Sequence, residues 1–213
     1  MNYSLQEIQA ELEKRLPYRY QWQQKQNDIW DKYTAFVYET LRWETLVERM
    51  KQVTIVEKLD KGKVFDYTAN RWFNFWSSVG VEQIFSELEN VITVNNSKDV
   101  EKDFYLNGIP FDHKTSVFPK KYPVDFKNAL EHKKGLIQWF YKHQSKQQRY
   151  HLKNRLFIVV YSTEGVHWKL KANLQLLQTE IIKYVSNFSE AQLQSLTFAT
   201  GETALSDIIW VRA

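Results

Sequence analysis

The stretch DFYLNGIPFDHKTS, Asp103 to Ser116, sets an Asn-Gly pair between two short runs that mix large apolar residues with acids. Asn-Gly flanked in this way is the strongest short-range signal for a two-residue type I′ hairpin, because both turn positions require positive φ. With Asn107 and Gly108 as the turn, Leu106 faces Ile109, Tyr105 faces Pro110, Phe104 faces Phe111 and Asp103 faces Asp112. Side chains alternate faces along a strand. One face then carries Phe104, Leu106, Ile109 and Phe111, an unbroken apolar set. The other carries Asp103, Tyr105, Pro110, Asp112 and Lys114. Pattern and turn chemistry select the same register.

This register has a chemical consequence. Directly opposed residues have Cβ atoms roughly 4.5–5.5 Å apart, and like charges so placed destabilise a sheet. Lys114, diagonal to Asp103, offsets part of that cost. A divalent cation between the carboxylates would offset it better, since hard cations such as magnesium take one or two carboxylates and complete their shell with water.

Outward from the hairpin, the chain reads as mixed α/β. Ser4-Leu5-Gln6-Glu7 has the spacing of a capping box, and Leu5, Ile8, Leu12 and Leu16 follow at helical intervals. After Pro17 a second helix is expected from about Tyr18 to Val53, with Trp30, Tyr33, Val37 and Leu41 as its buried stripe. The turn Asp60-Lys61-Gly62-Lys63 is the expected boundary between a helical subdomain (1–62) and a core (63–213). In that core a helix is expected over about Tyr67–Glu89, with Val81, Ile84, Phe85 and Leu88 on one face and Glu82 beside it. A short strand (Val91 to Val94) and the hairpin follow. Then come a helix over 124–148, the apolar strand LFIVVYS (156–162), a helix over 167–187 and a last strand at Asp207 to Arg212. The expected architecture is a mixed central sheet with helices on both faces.

Composition bounds the function. The chain has 213 residues, 43% of them hydrophobic, and no cysteine, which excludes disulfides, thiolate metal sites and a cysteine nucleophile. The N-terminus is charged and lacks the apolar core of a signal peptide, and no run approaches the ~18 apolar residues of a membrane span. A cytoplasmic protein with no membrane association is expected. The net charge of +4 is modest, but between His113 and Arg155 there are eleven Lys or Arg against two acids. Such a segment either generates a field that attracts phosphates or is a solvated helix face. No histidine pair has HExxH spacing, and no Gly-rich phosphate loop, dinucleotide fingerprint or serine elbow is present. Trp72 and Trp76, four apart on a predicted helix, read as core.

An acid on one strand, then Asp112-His113-Lys114 on the next strand of a hairpin, preceded by a helix bearing a glutamate, resembles the PD-(D/E)XK nuclease superfamily, which includes many restriction endonucleases. The order of elements from about Tyr67 to Arg212 is similar to that family's core. Two departures are that Lys102 rather than proline precedes Asp103, and that the second acid is Asp rather than Glu. The resemblance implies a restriction-endonuclease-like fold and a magnesium-dependent endodeoxyribonuclease, with manganese as a substitute, in restriction or another defence role. It implies that Asp103, Asp112 and the backbone carbonyl of His113 hold the metal, that Lys114 orients water and stabilises phosphoryl charge, and that Glu82 supplies the helix-borne acid, with Glu87 and Glu89 as weaker candidates. Double-stranded DNA is the implied partner, with Thr115, Ser116, Lys120, Lys121, Arg149, His151, Lys153 and Arg155 as the candidate nucleic-acid contacts. A homodimer follows if both strands are cut, since one site cuts one strand.

Rival readings remain open at this level. Acid-X-Lys recurs at Asp125-Phe126-Lys127 and Glu131-His132-Lys133, inside a predicted helix, and pairing Asp112 with the first of these is an alternative assignment. The competing function is a non-catalytic nucleic-acid-binding protein on a nuclease-like fold. A third is an interaction module whose helical part binds a protein partner.

Overall fold

The computed structural model describes residues 3–94, 102–143 and 153–213. The chain divides into two compact units, one formed by Met1–Gln83 with Lys171–Gln175 and the other by Ile84–Leu170 with Leu176–Ala213.

The first unit is helical. Ser4 caps α1 (Leu5–Glu13) through the expected capping box, its Oγ accepting from the Glu7 N–H while Glu7 Oε2 accepts from the Ser4 N–H. Ile8 and Leu12 are buried. The single helix expected from Tyr18 to Val53 is instead α2 (Asp28–Tyr33), a 3-10 turn (Ala35–Tyr38) and α3 (Trp43–Val56). Asn27 starts α2 by accepting from the Trp30 N–H. The Thr40 carbonyl accepts from the indole N–H groups of Trp72 at 2.7 Å and Trp76 at 3.1 Å. In a continuous helix that oxygen would accept from the N–H four residues on. Val37 and Leu41 are buried all the same, because an apolar stripe is satisfied equally by one helix or by pieces that keep one side inward.

Trp72 and Trp76 belong to α4 (Lys61–Ser86), and both are core residues as expected. The boundary expected at Gly62 falls in the first turn of this helix, and the compact units part between Gln83 and Ile84. The reason is bonding: Tyr67 donates to Asp31, and Trp72 and Trp76 donate to Thr40, which ties this length of α4 to the helical unit.

The second unit is built on a mixed six-stranded sheet. Its elements are β1 (Val91–Thr93), β2 (Phe104–Leu106), β3 (Ile109–Val117), α5 (Phe126–Glu131), α6 (Lys133–His143), β4 (Arg155–Tyr161), α7 (Leu174–Ser186, whose first two residues belong to the helical unit), β5 (Gln194–Thr197) and β6 (Thr203–Arg212). The spatial order is β1-β2-β3-β4-β6-β5. The first three strands form an antiparallel meander, β3, β4 and β6 run parallel, and β5 pairs antiparallel with β6. β5, with the sequence QSLT, was not expected; its polar residues hide it from hydrophobic patterning.

Leu156 to Val160 in β4 are fully buried, as a central parallel strand covered on both faces requires. On one face Phe157, Val159 and Ile208 pack with Leu136, Ile137, Phe140 and Tyr141 of α6. The other face carries Asp207, which accepts from the Tyr184 hydroxyl of α7. The expected mixed sheet flanked by helices is therefore present. Among the described residues no helix is long and apolar enough to cross a membrane.

Candidate metal and nucleic-acid site

Asn107 and Gly108 have φ of 48° and 82°, the pair of positive values that a type I′ turn demands. The strands they join pair Leu106 with Ile109, Tyr105 with Pro110 and Phe104 with Phe111. Phe104, Leu106 and Phe111 are buried. The ladder stops at that last pair, so the expected direct opposition of Asp103 and Asp112 is not formed. The Asp103 N–H donates to the Phe111 carbonyl at 2.8 Å, while the Asp112 N–H donates to the Asn154 carbonyl at 3.0 Å, towards β4.

The Asp103 carboxylate extends this end of the hairpin. Its Oδ2 accepts from the His113 N–H at 2.8 Å and lies 2.7 Å from His113 Nδ1. The His113 ring is buried and stacks near Phe104 and Phe85, with centroids 6.3 and 5.9 Å away. Asp103 is thus tied to the residue between Asp112 and Lys114.

Asp112 is held from the other side. Its Oδ2 accepts from Arg155 Nε at 2.7 Å. Arg155 is its register partner across the parallel β3–β4 ladder. The guanidinium carbon sits 5.7 Å from the centre of the Tyr141 ring. The Tyr141 hydroxyl donates to the Lys153 carbonyl and is 2.7 Å from Ser206 Oγ. Burial pushes the Tyr141 phenol up to about 12, so its proton is retained and its hydroxyl remains a donor.

Lys114 is exposed, and by strand alternation it shares the face of Asp112. Burial acts to raise the Asp103 carboxyl, but the His113 ring, its charge, the His113 N–H and the Lys114 charge together hold it below the ordinary carboxylate value. A depressed folded pKa means stabilisation that is present above the ordinary value near 3.8 and lost as pH falls through the folded value. Acidification from pH 6 to pH 3 is therefore expected to cost the wild type more unfolding free energy than Asp103→Asn. Urea denaturation of both proteins at the two pH values measures this, and equal losses would remove the carboxylate from the account.

The donor chemistry fits a hard divalent cation. Asp103, just before β2, and Asp112, on β3, offer two carboxylates, and their bonds among the described residues use Oδ2 of each, leaving Oδ1 outside those bonds. Among the described residues no group of three or more His, Asp or Glu is arranged to hold a metal. A magnesium ion that keeps several waters needs fewer protein ligands than that.

The remaining candidates are dispersed. Glu82 lies in the helical unit, exposed, and accepts from the Ser78 hydroxyl at 3.4 Å. Glu87 and Glu89 are exposed beyond α4. Thr115 Oγ1 is buried without a hydrogen-bond partner among the described residues, so its hydroxyl does not reach the surface where a phosphate would lie. Ser116 and Lys153 are half-buried, and Lys120 and Lys121 are exposed in the turn after β3. Arg149 and His151 lie outside the described residues. In the rival motifs, Asp125 caps α5 by accepting from the Asn128 N–H at 2.8 Å, and Lys133 pairs with buried Asp207 at 2.6 Å. Neither is arranged across strands with another acid of the motif.

Sequence reasoning missed two contacts. The His113 ring on Asp103 was within local reach, as the middle residue of Asp112-His113-Lys114. Arg155 on Asp112 was not, because it depends on pairing strands 43 residues apart. No family model, curated protein or solved structure was found to match this chain.

Proposed function

We propose that this chain is a magnesium-dependent endonuclease of the PD-(D/E)XK type, hydrolysing phosphodiester bonds in DNA in a restriction or other defence role. The observation that carries the reading is the hairpin itself. It has Asp103 immediately before β2, Asp112 and Lys114 on the adjoining β3, and β4 running parallel to β3 after an intervening helical segment. That is the order of elements on which the resemblance rests. Asp103, Asp112 and the His113 carbonyl would hold the metal. When bound, such an ion polarises the scissile phosphate and acidifies a water. Lys114 presents an exposed ammonium on the Asp112 face, suited to stabilising charge on phosphoryl oxygens. Lys120, Lys121 and Arg155 supply positive charge to hold the DNA backbone.

A second reading has its own support. Both acids already have partners, His113 for Asp103 and Arg155 for Asp112, which suits a nucleic-acid-binding protein that does not cut. The two readings diverge in one assay. Supercoiled plasmid, long mixed-sequence DNA and RNA are incubated with the protein in magnesium, manganese or EDTA. The nuclease reading expects metal-dependent nicking or linearisation that Asp112→Asn abolishes. Binding without cleavage across all three substrates would favour the second reading.

A further inference from the structure

The Arg155–Asp112 pair is built by the sheet, not by a chance surface approach. Parallel register sets the two residues side by side on β3 and β4, and Nε reaches Oδ2 at 2.7 Å. The two side chains retain only 16% and 29% of their exposure. Tyr141 backs the guanidinium, and Tyr141 is itself held by the Lys153 carbonyl and Ser206. The same Ser206 hydroxyl accepts from the Arg155 N–H at 3.3 Å. A cation is thus kept against one of the two acids on which the metal reading depends, and it is kept there by α6 and β6.

We infer that Arg155 is the resident counter-cation of Asp112, whose charge and hold on Oδ2 oppose a divalent metal at the same carboxylate, so that Arg155 sets the metal affinity of the site. This rests on the metal-site reading of Asp103 and Asp112 given above. A guanidinium and a divalent ion compete for the negative charge of one carboxylate, and a charge-assisted hydrogen bond in partly buried surroundings is strong enough to matter in that competition. Lysine at this position would keep the charge and lose the planar fork that matches the carboxylate.

Isothermal titration of the full chain with manganese tests the inference, using wild type, Arg155→Gln, Arg155→Lys and Asp112→Asn, with circular dichroism on each to establish folding. Arg155→Gln is expected to bind manganese about tenfold more tightly than wild type. Arg155→Lys should fall between the two, and Asp112→Asn should lose the site. Arg155→Gln binding no more tightly than wild type would overturn the role of Arg155 while leaving the metal site standing. Failure of both wild type and Arg155→Gln to bind would overturn both. Manganese binding by Arg155→Gln alone would support the inference strongly. If Arg155→Gln does not fold, an Arg155→Lys affinity at or below wild type overturns the role on its own.

Discussion

On the nuclease reading proposed above, Lys114→Ala is expected to remain folded and to cut DNA about 100- to 1,000-fold more slowly than wild type, the loss typical of removing one preorganised charge-stabilising donor. The two halves of this expectation have separate grounds. Lys114 is exposed and its side chain makes no hydrogen bond or ion pair among the described residues, so its truncation should change unfolding free energy by no more than about 0.5 kcal/mol. Its charge nevertheless reaches Asp103, and its side chain shares a face with Asp112. On the same reading Asp112→Asn should lose at least as much activity, because it removes a formal charge from the proposed metal-binding pair while preserving shape. The measurement is the initial rate of plasmid nicking in magnesium, with a thermal melt as the folding control. A Lys114→Ala protein that cuts at the wild-type rate would remove this residue from the mechanism.

Trp72→Ala is expected to cost about 3–5 kcal/mol of unfolding free energy, the range for deleting a buried aromatic side chain. Trp72 is completely buried and lies 5.3 Å, ring centre to ring centre, from Trp43. Its indole N–H donates to the Thr40 carbonyl at 2.7 Å. Trp76 also donates to that carbonyl, so the substitution leaves a cavity but no orphaned acceptor. Natural domains are stable by only about 5–15 kcal/mol, so the variant should sit near its unfolding threshold at room temperature. Urea denaturation followed by circular dichroism measures the shift in midpoint. Trp72→Phe, which keeps most of the apolar volume, should lose clearly less, and equal losses in the two variants would mean that the hydrogen bond rather than the packing dominates.

Much of the fold was legible because the signals were local. Asn107-Gly108 announced a turn that only positive φ satisfies, and the alternation on either side of it permitted one register. The run LFIVVYS announced a strand buried on both faces, and Ser4 with Glu7 announced a helix start. Where the reading failed, the deciding group was distant. The helix expected across residue 40 is interrupted there, and the Thr40 carbonyl accepts instead from two tryptophans more than thirty residues away. β5 was missed because its polar residues QSLT gain their place from pairing with β6.

The candidate site divides along the same line. Turn chemistry and a period of two bring Asp103, Asp112 and Lys114 to one hairpin, and those are interactions between near neighbours in the chain. Which way each carboxylate turns is a tertiary matter. Asp103 is drawn to the His113 N–H and ring where β2 and β3 part, and Asp112 is drawn to Arg155 because β4 docks in parallel beside β3. No spacing rule encodes a parallel pairing across two intervening helices, so the identity of the cation now facing Asp112 was settled by the sheet and not by the motif.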